Sequence, residues 1–227
     1  KGDISKVTTE SRWRHLRTFF NWCIDKGLRD ENPCHDVDLP RTPNKFPQYL
    51  EKHEVEEIIQ AVEEHARSAY WLKELIWVAV YTAMRRGELA ALKWSHVDLG
   101  KQTIVVPAET SKSDRDRMIP MVSQVHRILS GRSNQRGYVF TDTKGRGPLK
   151  GDHISHTFKK YARKAGYEEI SFHGLRHTAC SWMAMRGCSI ETIRQFAGHS
   201  STNVTQKYMH LSPQAYHDQV RQALESM

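Results

Sequence analysis

The chain has 227 residues, with 34 Lys and Arg against 26 Asp and Glu, which gives a formal net charge of +8. This length allows one full domain and part of another, and the basic balance favours a polyanionic partner, nucleic acid first. The four cysteines form no CxxC pair and no disulfide spacing, and the longest apolar run, residues 75–81, is far shorter than the ~20 residues that cross a bilayer. We therefore expect a cytoplasmic protein with reduced thiols and no membrane partner.

The first predicted element is an amphipathic helix over residues 8–27. Its apolar residues recur at steps of three or four: Trp13, Leu16, Phe20, Cys23 and Gly27. One helix and a loop cannot bury such a stripe, and the chain begins at Lys1 without an initiator Met, so we expect that a segment upstream has been removed. Residues 39–48, LPRTPNKFPQ, hold three prolines and predict a stiff linker. The predicted units are therefore 1–38, the linker 39–48, and 49–227.

Beyond the linker the pattern predicts a mainly α domain with a small antiparallel β-sheet (α+β). Val55, Ile58 and Val62 mark one helix, and LKELIWVAVYTAM marks another that is apolar nearly all round. TIVVP and RMIPM flank the polar AETSKSDRD, which predicts a β-hairpin. Further helices are predicted at 152–165, 172–186 and 189–197, and a terminal helix has Ser212 as its N-cap and Pro213 at its first position.

Two motifs in this domain each contain an arginine and another polar residue three positions apart. In TAMRRGELAALKW, Arg85 and Glu88 share a helix face, which alone is typical of an ordinary helical ion pair. In SFHGLRHTACSW, His173 and Arg176 lie at the start of a helix, where free N–H groups favour an anion such as a phosphate. A zinc site is a rival interpretation, because His173, His177 and Cys180 fall on one face. The positive charge of Arg176 opposes it.

Two further groups are ambiguous by themselves. Lys112 lies at the tip of the predicted hairpin, where a lysine is usually a solvated charge. In GHSSTNVTQKY, His199 precedes Tyr208 by nine residues across a polar stretch that resembles neither a strand nor a packed helix. A tyrosine usually packs in a core, but among arginines and histidines its phenol would be activated as a nucleophile toward phosphorus. No GxxxxGK[ST] loop is present, so no nucleotide is implied.

Residues 49–211 resemble the catalytic domain of the tyrosine recombinase (phage integrase) family. The resemblance lies in five motifs in the family's order: T-A-M-R-R-G-E, the hairpin lysine, H-G-L-R, G-H and the tyrosine. The resemblance implies a site-specific recombinase that cleaves and rejoins DNA through a covalent 3′-phosphotyrosyl link, without metal, cofactor or ATP. Two positions depart from the family pattern: Ala83 stands where glycine is common, and Ala197 where leucine often precedes Gly-His.

The resemblance also assigns roles. It implies that Arg85 and Arg176 grip the scissile phosphate, that Lys112 protonates the leaving 5′ oxygen, and that Tyr208 is the nucleophile. His173 would assist proton removal and His199 would donate to the phosphate, while Glu88 would hold the array in place.

The resemblance extends to the partners, double-stranded DNA and further copies of the chain. Residues 1–38 resemble the end of the family's core-binding domain, and helix 152–165 resembles the helix that enters the major groove. Its candidate DNA contacts are Lys150, His153 and His156. The terminal helix resembles the tail that docks onto a neighbour in a tetramer, although it could equally fold back on its own domain.

The residues by themselves leave other functions open. A type IB topoisomerase-like enzyme would use the same groups to nick and close DNA as a monomer. A DNA-binding regulator without catalysis would be expected to lack the tyrosine or an arginine, and none is missing here. A metal hydrolase would need the zinc site.

Overall fold

The structure is a computed structural model that describes residues 4–38, 46–66, 69, 71–110, 116–132, 136–142, 147–211, 221 and 224–225. The chain divides into two compact units, Lys1–Lys45 and Phe46–Met227. The assignment of 1–38, 39–48 and 49–227 to a core-binding remnant, a linker and a catalytic domain stays a prediction. None of the helices among the described residues is both long and apolar enough to cross a bilayer.

The first unit is built on one long helix, α1 (Lys6–Asp25). Ser5 caps its start by accepting a hydrogen bond from the backbone N–H of Thr8. Cys23 is buried on this helix, whereas Leu16, Phe19 and Trp22 are about half exposed. The predicted helix is present, and within this unit much of its apolar surface stays exposed.

The second unit is mainly helical. Its helices among the described residues are α2 (Lys52–His65), α3 (Trp71–Thr82), α4 (Arg86–Ala90), α5 (Ser123–Ser130), α6 (Gly151–Lys164), α7 (Gly174–Met185), α8 (Ile190–Ala197) and α9 (Thr202–Gln206). α3 is apolar nearly all round and lies in the core, where it packs against α2, α5 and α7. α2 and α6 pack on each other, and α8 packs on α7 and on α9.

The second unit also contains a small antiparallel sheet. Its strands are β1 (Val97–Asp98), β2 (Thr103–Val106) and β3 (Arg117–Pro120), in the order β1-β2-β3. Strand β3 packs against α8. Ile104 pairs with Ile119, and both are fully buried, while Val106 pairs with Arg117. The predicted fold class, mainly α with a small antiparallel sheet, is confirmed.

Three elements differ from the sequence-based expectation. The pattern did not indicate α5, nor β1, which has only two residues. The stretch between His199 and Tyr208, which resembles neither a strand nor a packed helix in the sequence, contains the five-residue helix α9, in which Thr205 is buried and the other four residues are exposed. The predicted terminal helix from Ser212 lies largely outside the described residues.

Candidate active site

The first part of the site is the start of α4. Arg85 is the N-cap of this helix, and Glu88 lies at its third position. The Glu88 carboxylate accepts hydrogen bonds from the Arg85 backbone N–H (2.8 Å) and from Arg85 Nη1 (2.8 Å). The two residues therefore form a cap as well as an ion pair, and the side chain of Glu88 is only 1% exposed. This contact fixes the direction in which the Arg85 guanidinium points.

Arg117, at the start of β3, holds the other side of the same carboxylate. Its Nη1 and Nη2 lie 3.0 and 2.6 Å from Glu88 Oε1 and Oε2. Burial raises the pKa of Glu88, but the hydrogen bonds and charges of Arg117 and Arg85 outweigh it, and the net pKa is below the usual value. Glu88 is therefore a buried anion between two cations.

Arg176 lies in the first turn of α7 and is 3% exposed. Its Nη1 donates to the carbonyl of Ala83 (2.6 Å), while its Nη2 is buried without a hydrogen-bond partner in the described part of the chain. Burial, followed by the charge of Arg85, lowers the pKa of Arg176 to about 10, so the guanidinium remains charged at neutral pH. One donor of a buried cation is thus available to an anion.

The carbonyl that orients Arg176 belongs to a residue in the left-handed region. Ala83 has φ 51° and directly follows the last residue of α3. A left-handed alanine costs roughly 1–2 kcal/mol, which is why glycine suits this position.

His173 is the N-cap of α7, and its ring meets the ring of His177 edge-on, with centroids 4.8 Å apart. Partial desolvation, followed by the charges of Arg176 and Arg85, lowers the pKa of His173. The imidazole is therefore neutral at neutral pH and able to accept a proton.

The Gly198–His199 turn closes the opposite side of the site. Gly198 ends α8 with φ 68°, and its carbonyl accepts a hydrogen bond from Arg85 Nη2 (2.6 Å). The buried His199 ring contacts the hydroxyl of Thr205 on α9 through Nδ1 (2.9 Å). Burial, then the charges of Arg176 and Arg85, lowers the pKa of His199 to about 3, so this ring is neutral.

Tyr208 is 1% exposed and lies among small apolar side chains. Its hydroxyl lies 2.5 Å from Nδ1 of His177, and its ring is nearly parallel to that of His199, with 6.4 Å between centroids. Burial, then the charges of His173 and Arg176, lowers the pKa of His177 to about 4. Tyr208 belongs to one buried cluster with Ala83, Ala179, Cys180, Ala184, Ile193 and Ala197.

The expectation that the site activates the phenol does not hold for this arrangement. Burial and the nearby Cys180 thiol raise the pKa of Tyr208, and the opposing charge of Arg176 does not compensate. The phenol and the His177 imidazole are therefore both neutral, and they share one short hydrogen bond.

A groove of about 690 Å³ opens beside these residues, between the start of α4, α6 and the start of α7. Arg85 and His173 line it together with His156 and Lys159 of α6. Lys150, His153 and His156 are all exposed at the start of α6, and of the three only His156 lines the groove, while the His153 ring lies beside the Trp71 ring. Their contacts with DNA stay a prediction. Lys112 lies outside the described residues.

Within the described ranges, no group of three or more His, Cys, Asp or Glu side chains could hold a metal ion. His177, part of the rival zinc interpretation, contacts Tyr208 instead. Sequence reasoning therefore missed the role of His177 as the partner of the tyrosine. It also missed Arg117, whose only signal was a charge at the start of a predicted strand.

Comparison with known proteins points to the same family as the motifs. The model of the phage integrase family matches residues 48–215. The tyrosine recombinase XerC-like protein of Caldanaerobacter subterraneus subsp. tengcongensis is 27% identical over 92% of this chain and 63% of its own length. This chain thus spans less than two thirds of that relative.

Two solved structures resemble the chain. The crystal structure of XerA recombinase is 27% identical, with a TM-score of 0.62, over 97% of this chain and 77% of that one. The Tn1549 transposon integrase, solved with transposon right end DNA, is 19% identical, with a TM-score of 0.78, over 97% and 80%. Both share the fold, which confirms the predicted catalytic-domain architecture.

Proposed function

The chain belongs to the phage integrase family, and from this membership and the site geometry we propose that it is a site-specific DNA recombinase that cleaves and rejoins DNA through a covalent 3′-phosphotyrosyl link. The observation that carries the proposal is the placement of two arginines, Arg85 and Arg176, in one site with a buried tyrosine. Such a set binds a phosphodiester and supplies a nucleophile.

The two arginines bind the scissile phosphate. Arg85 is oriented by Glu88 and Gly198, and Arg176 keeps Nη2 without a partner in the described part of the chain. Guanidinium groups held in this way stabilise the charge that develops on a pentavalent phosphorus without reorganising during the reaction.

Tyr208 is the nucleophile. Its Oη forms the bond to phosphorus as the bond from phosphorus to the 5′ oxygen breaks, and the phenol proton leaves toward the neutral His173 and His177. Lys112 returns a proton to the 5′ oxygen, and His199 donates to the phosphate. Because the phosphotyrosyl link retains the bond energy, rejoining requires no ATP.

Attack requires a change from the observed arrangement. A protonated phenol bonded to His177 is a poor nucleophile, and a phosphodiester at the arginines would have to exchange with this contact. Mobility of the segment from His199 to Tyr208 stays a prediction. In the observed arrangement α9, which lies in this segment, packs against α8.

DNA is the proposed partner. The net charge of +8 and the groove lined by Arg85, His156 and Lys159 support binding to a duplex. DNA contacts by Lys150, His153 and His156, and a homotetramer assembled through the terminal helix, are part of this proposal. Because Lys and Arg contacts to phosphates release counterions, binding should weaken steeply with salt.

The test is covalent capture on DNA. The protein is incubated with a randomised library of nicked suicide duplexes, and adducts that survive detergent are isolated and sequenced. We expect wild type to form adducts enriched in one sequence motif, with and without EDTA, and Tyr208→Phe to form none. The matched control is Tyr161→Phe, since Tyr161 is a buried core tyrosine of α6, 4% exposed.

The other outcomes are equally informative. An adduct retained in Tyr208→Phe would contradict the assignment of the nucleophile. Adducts without sequence preference would favour topoisomerase-like nicking, and EDTA-sensitive cleavage without an adduct would favour a metal hydrolase.

A further inference from the structure

We propose that Arg117 is a positioning residue of the cleavage site, which acts through Glu88 and through the Gly198–His199 turn. The inference rests on the proposed function and adds to it a residue that the motif pattern did not indicate. Three sets of contacts carry it.

The first is the pair with Glu88. Both terminal nitrogens of Arg117 bind the two oxygens of Glu88, at 3.0 and 2.6 Å, and the side chains are 8% and 1% exposed. A two-point contact between a guanidinium and a carboxylate fixes both planes, which a single contact does not. Arg117 therefore determines the orientation of the Glu88 carboxylate.

The second set links Glu88 to the proposed phosphate-binding arginine. Glu88 binds the backbone N–H and Nη1 of Arg85, and Arg85 Nη2 binds the carbonyl of Gly198. The Arg85 guanidinium thus depends on two acceptors. Arg117 binds the first acceptor and lies beside Gly198, which carries the second.

The Arg117 side chain also lies close to Gly198. A Cβ built on Gly198 would lie 3.0 Å from Arg117 Nη1 and 3.1 Å from its Cδ. Glycine suits position 198 because of its positive φ, and a Cβ there would crowd the Arg117 side chain. Since His199 follows directly, the Arg117 side chain also supports the turn that presents this histidine.

The third observation is the place of Arg117 in the chain. It pairs with Val106 at the end of the β2–β3 ladder, and β3 packs against α8. In sequence it follows Lys112 by five residues. One side chain thus ties the strand that follows Lys112 to α4 and to the end of α8.

Charge gives this arrangement a measurable signature. The charged and titratable groups around Glu88 are three arginines near its carboxylate and the groups that line its groove: Arg85, Arg117, Arg176, Arg86, His156, Lys159 and His173. Without Arg117, Glu88 stays buried but loses one of the cations that bind it directly. The effect of burial is then less opposed, and the pKa of Glu88 rises. On acidification Glu88 then takes up a proton, and Arg85 loses a charged acceptor at a pH where wild type keeps it.

The experiment measures the single-turnover rate of adduct formation on a suicide duplex between about pH 5 and pH 9. We expect Arg117→Met to be slower by about 100-fold at neutral pH, as for a small misplacement of a reacting group. The acid limb of its pH profile, where the rate falls as the pH is lowered, should move to higher pH by about one unit. Arg117→Lys keeps the positive charge but loses the two-point contact with the carboxylate. Its rate should be about 10-fold lower than that of wild type, with an unmoved acid limb.

Two further variants serve as controls. Arg117→Met combined with Glu88→Gln removes the titrating group, so it should be slow without the shifted acid limb. Arg127→Met removes an exposed arginine of α5 and should behave as wild type. Circular dichroism and thermal melting establish which variants are folded.

The outcomes separate the inference from the function. A wild type that forms no adduct would overturn the proposed function. With an active wild type, a folded Arg117→Met with an unmoved acid limb, whatever its rate, would overturn the role of Arg117. If Arg117→Met does not fold, Arg117→Lys decides, and a rate equal to that of wild type would overturn the inference.

Discussion

Two regions of the site are held together by different forces. The arginine network consists of Arg85, Glu88, Arg117 and Arg176. Charge-assisted hydrogen bonds join Arg85 and Arg117 to Glu88, and Arg176 of α7 donates to the Ala83 carbonyl after α3. The tyrosine pocket, which consists of Tyr208 and its small apolar neighbours, is held by packing and one bond to His177. The comparison suggests that groups for binding a phosphate are placed in advance, while the nucleophile is held neutral and more weakly.

The largest expected effect on stability comes from breaking the network. Glu88→Gln should lower the free energy of unfolding by about 3–5 kcal/mol, since it leaves buried arginines without their counter-charge. Urea denaturation measures the change. The matched control is Glu191→Gln, because Glu191 forms a similar two-point pair with Arg194 at the surface. That control should change little, and equal losses in both variants would remove the distinction between buried and exposed pairs.

A smaller effect is expected in the tyrosine pocket. Tyr208→Phe and His177→Ala each break the same hydrogen bond, so their double variant should lose less stability than the sum of the two. A double-mutant cycle should give a coupling of about 1 kcal/mol. A coupling as large as the effect of Glu88→Gln would contradict the idea that the nucleophile is the more weakly held group.

The smallest effect is expected where the two regions meet. The Ala83 carbonyl binds Arg176, and its methyl group packs in the tyrosine pocket. Ala83→Gly should change stability by less than about 0.5 kcal/mol, because relief of the left-handed backbone offsets the lost methyl and the added chain entropy.

The matched control lies one turn earlier in α3. Ala79 is 1% exposed in the helix interior, and Ala79→Gly should cost about 2 kcal/mol from helix propensity and lost burial. Equal costs at the two positions, measured by thermal melting, would contradict the strain assigned to Ala83.

Much of the fold could be predicted because helices of twelve or more residues have a clear period. α3, α6 and α7 follow from their apolar patterns, and β2 and β3 from β-branched runs on either side of a polar turn. Short elements could not be predicted in this way. α9 contains no stripe of its own, and Thr205 is buried through its contact with His199, which only the folded chain brings near.

The motifs of the site were visible for a different reason. Arg85, His173, Arg176, His199 and Tyr208 stand at family spacings, so their order alone identified candidates. Their environment could not be inferred. A motif gives no sign that Tyr208 is buried beside His177, or that burial raises the pKa of its phenol.

The sequence by itself therefore determined the fold class, the basic character and the set of candidate groups, because these depend on local periodicity, composition and spacing. Only the tertiary structure decided how the groups are paired. Arg117 and Glu88 are 29 residues apart, and Arg85 and Gly198 are 113 apart. Contacts across such distances depend on how α4, β3 and α8 pack together, and no local pattern in the chain records that packing.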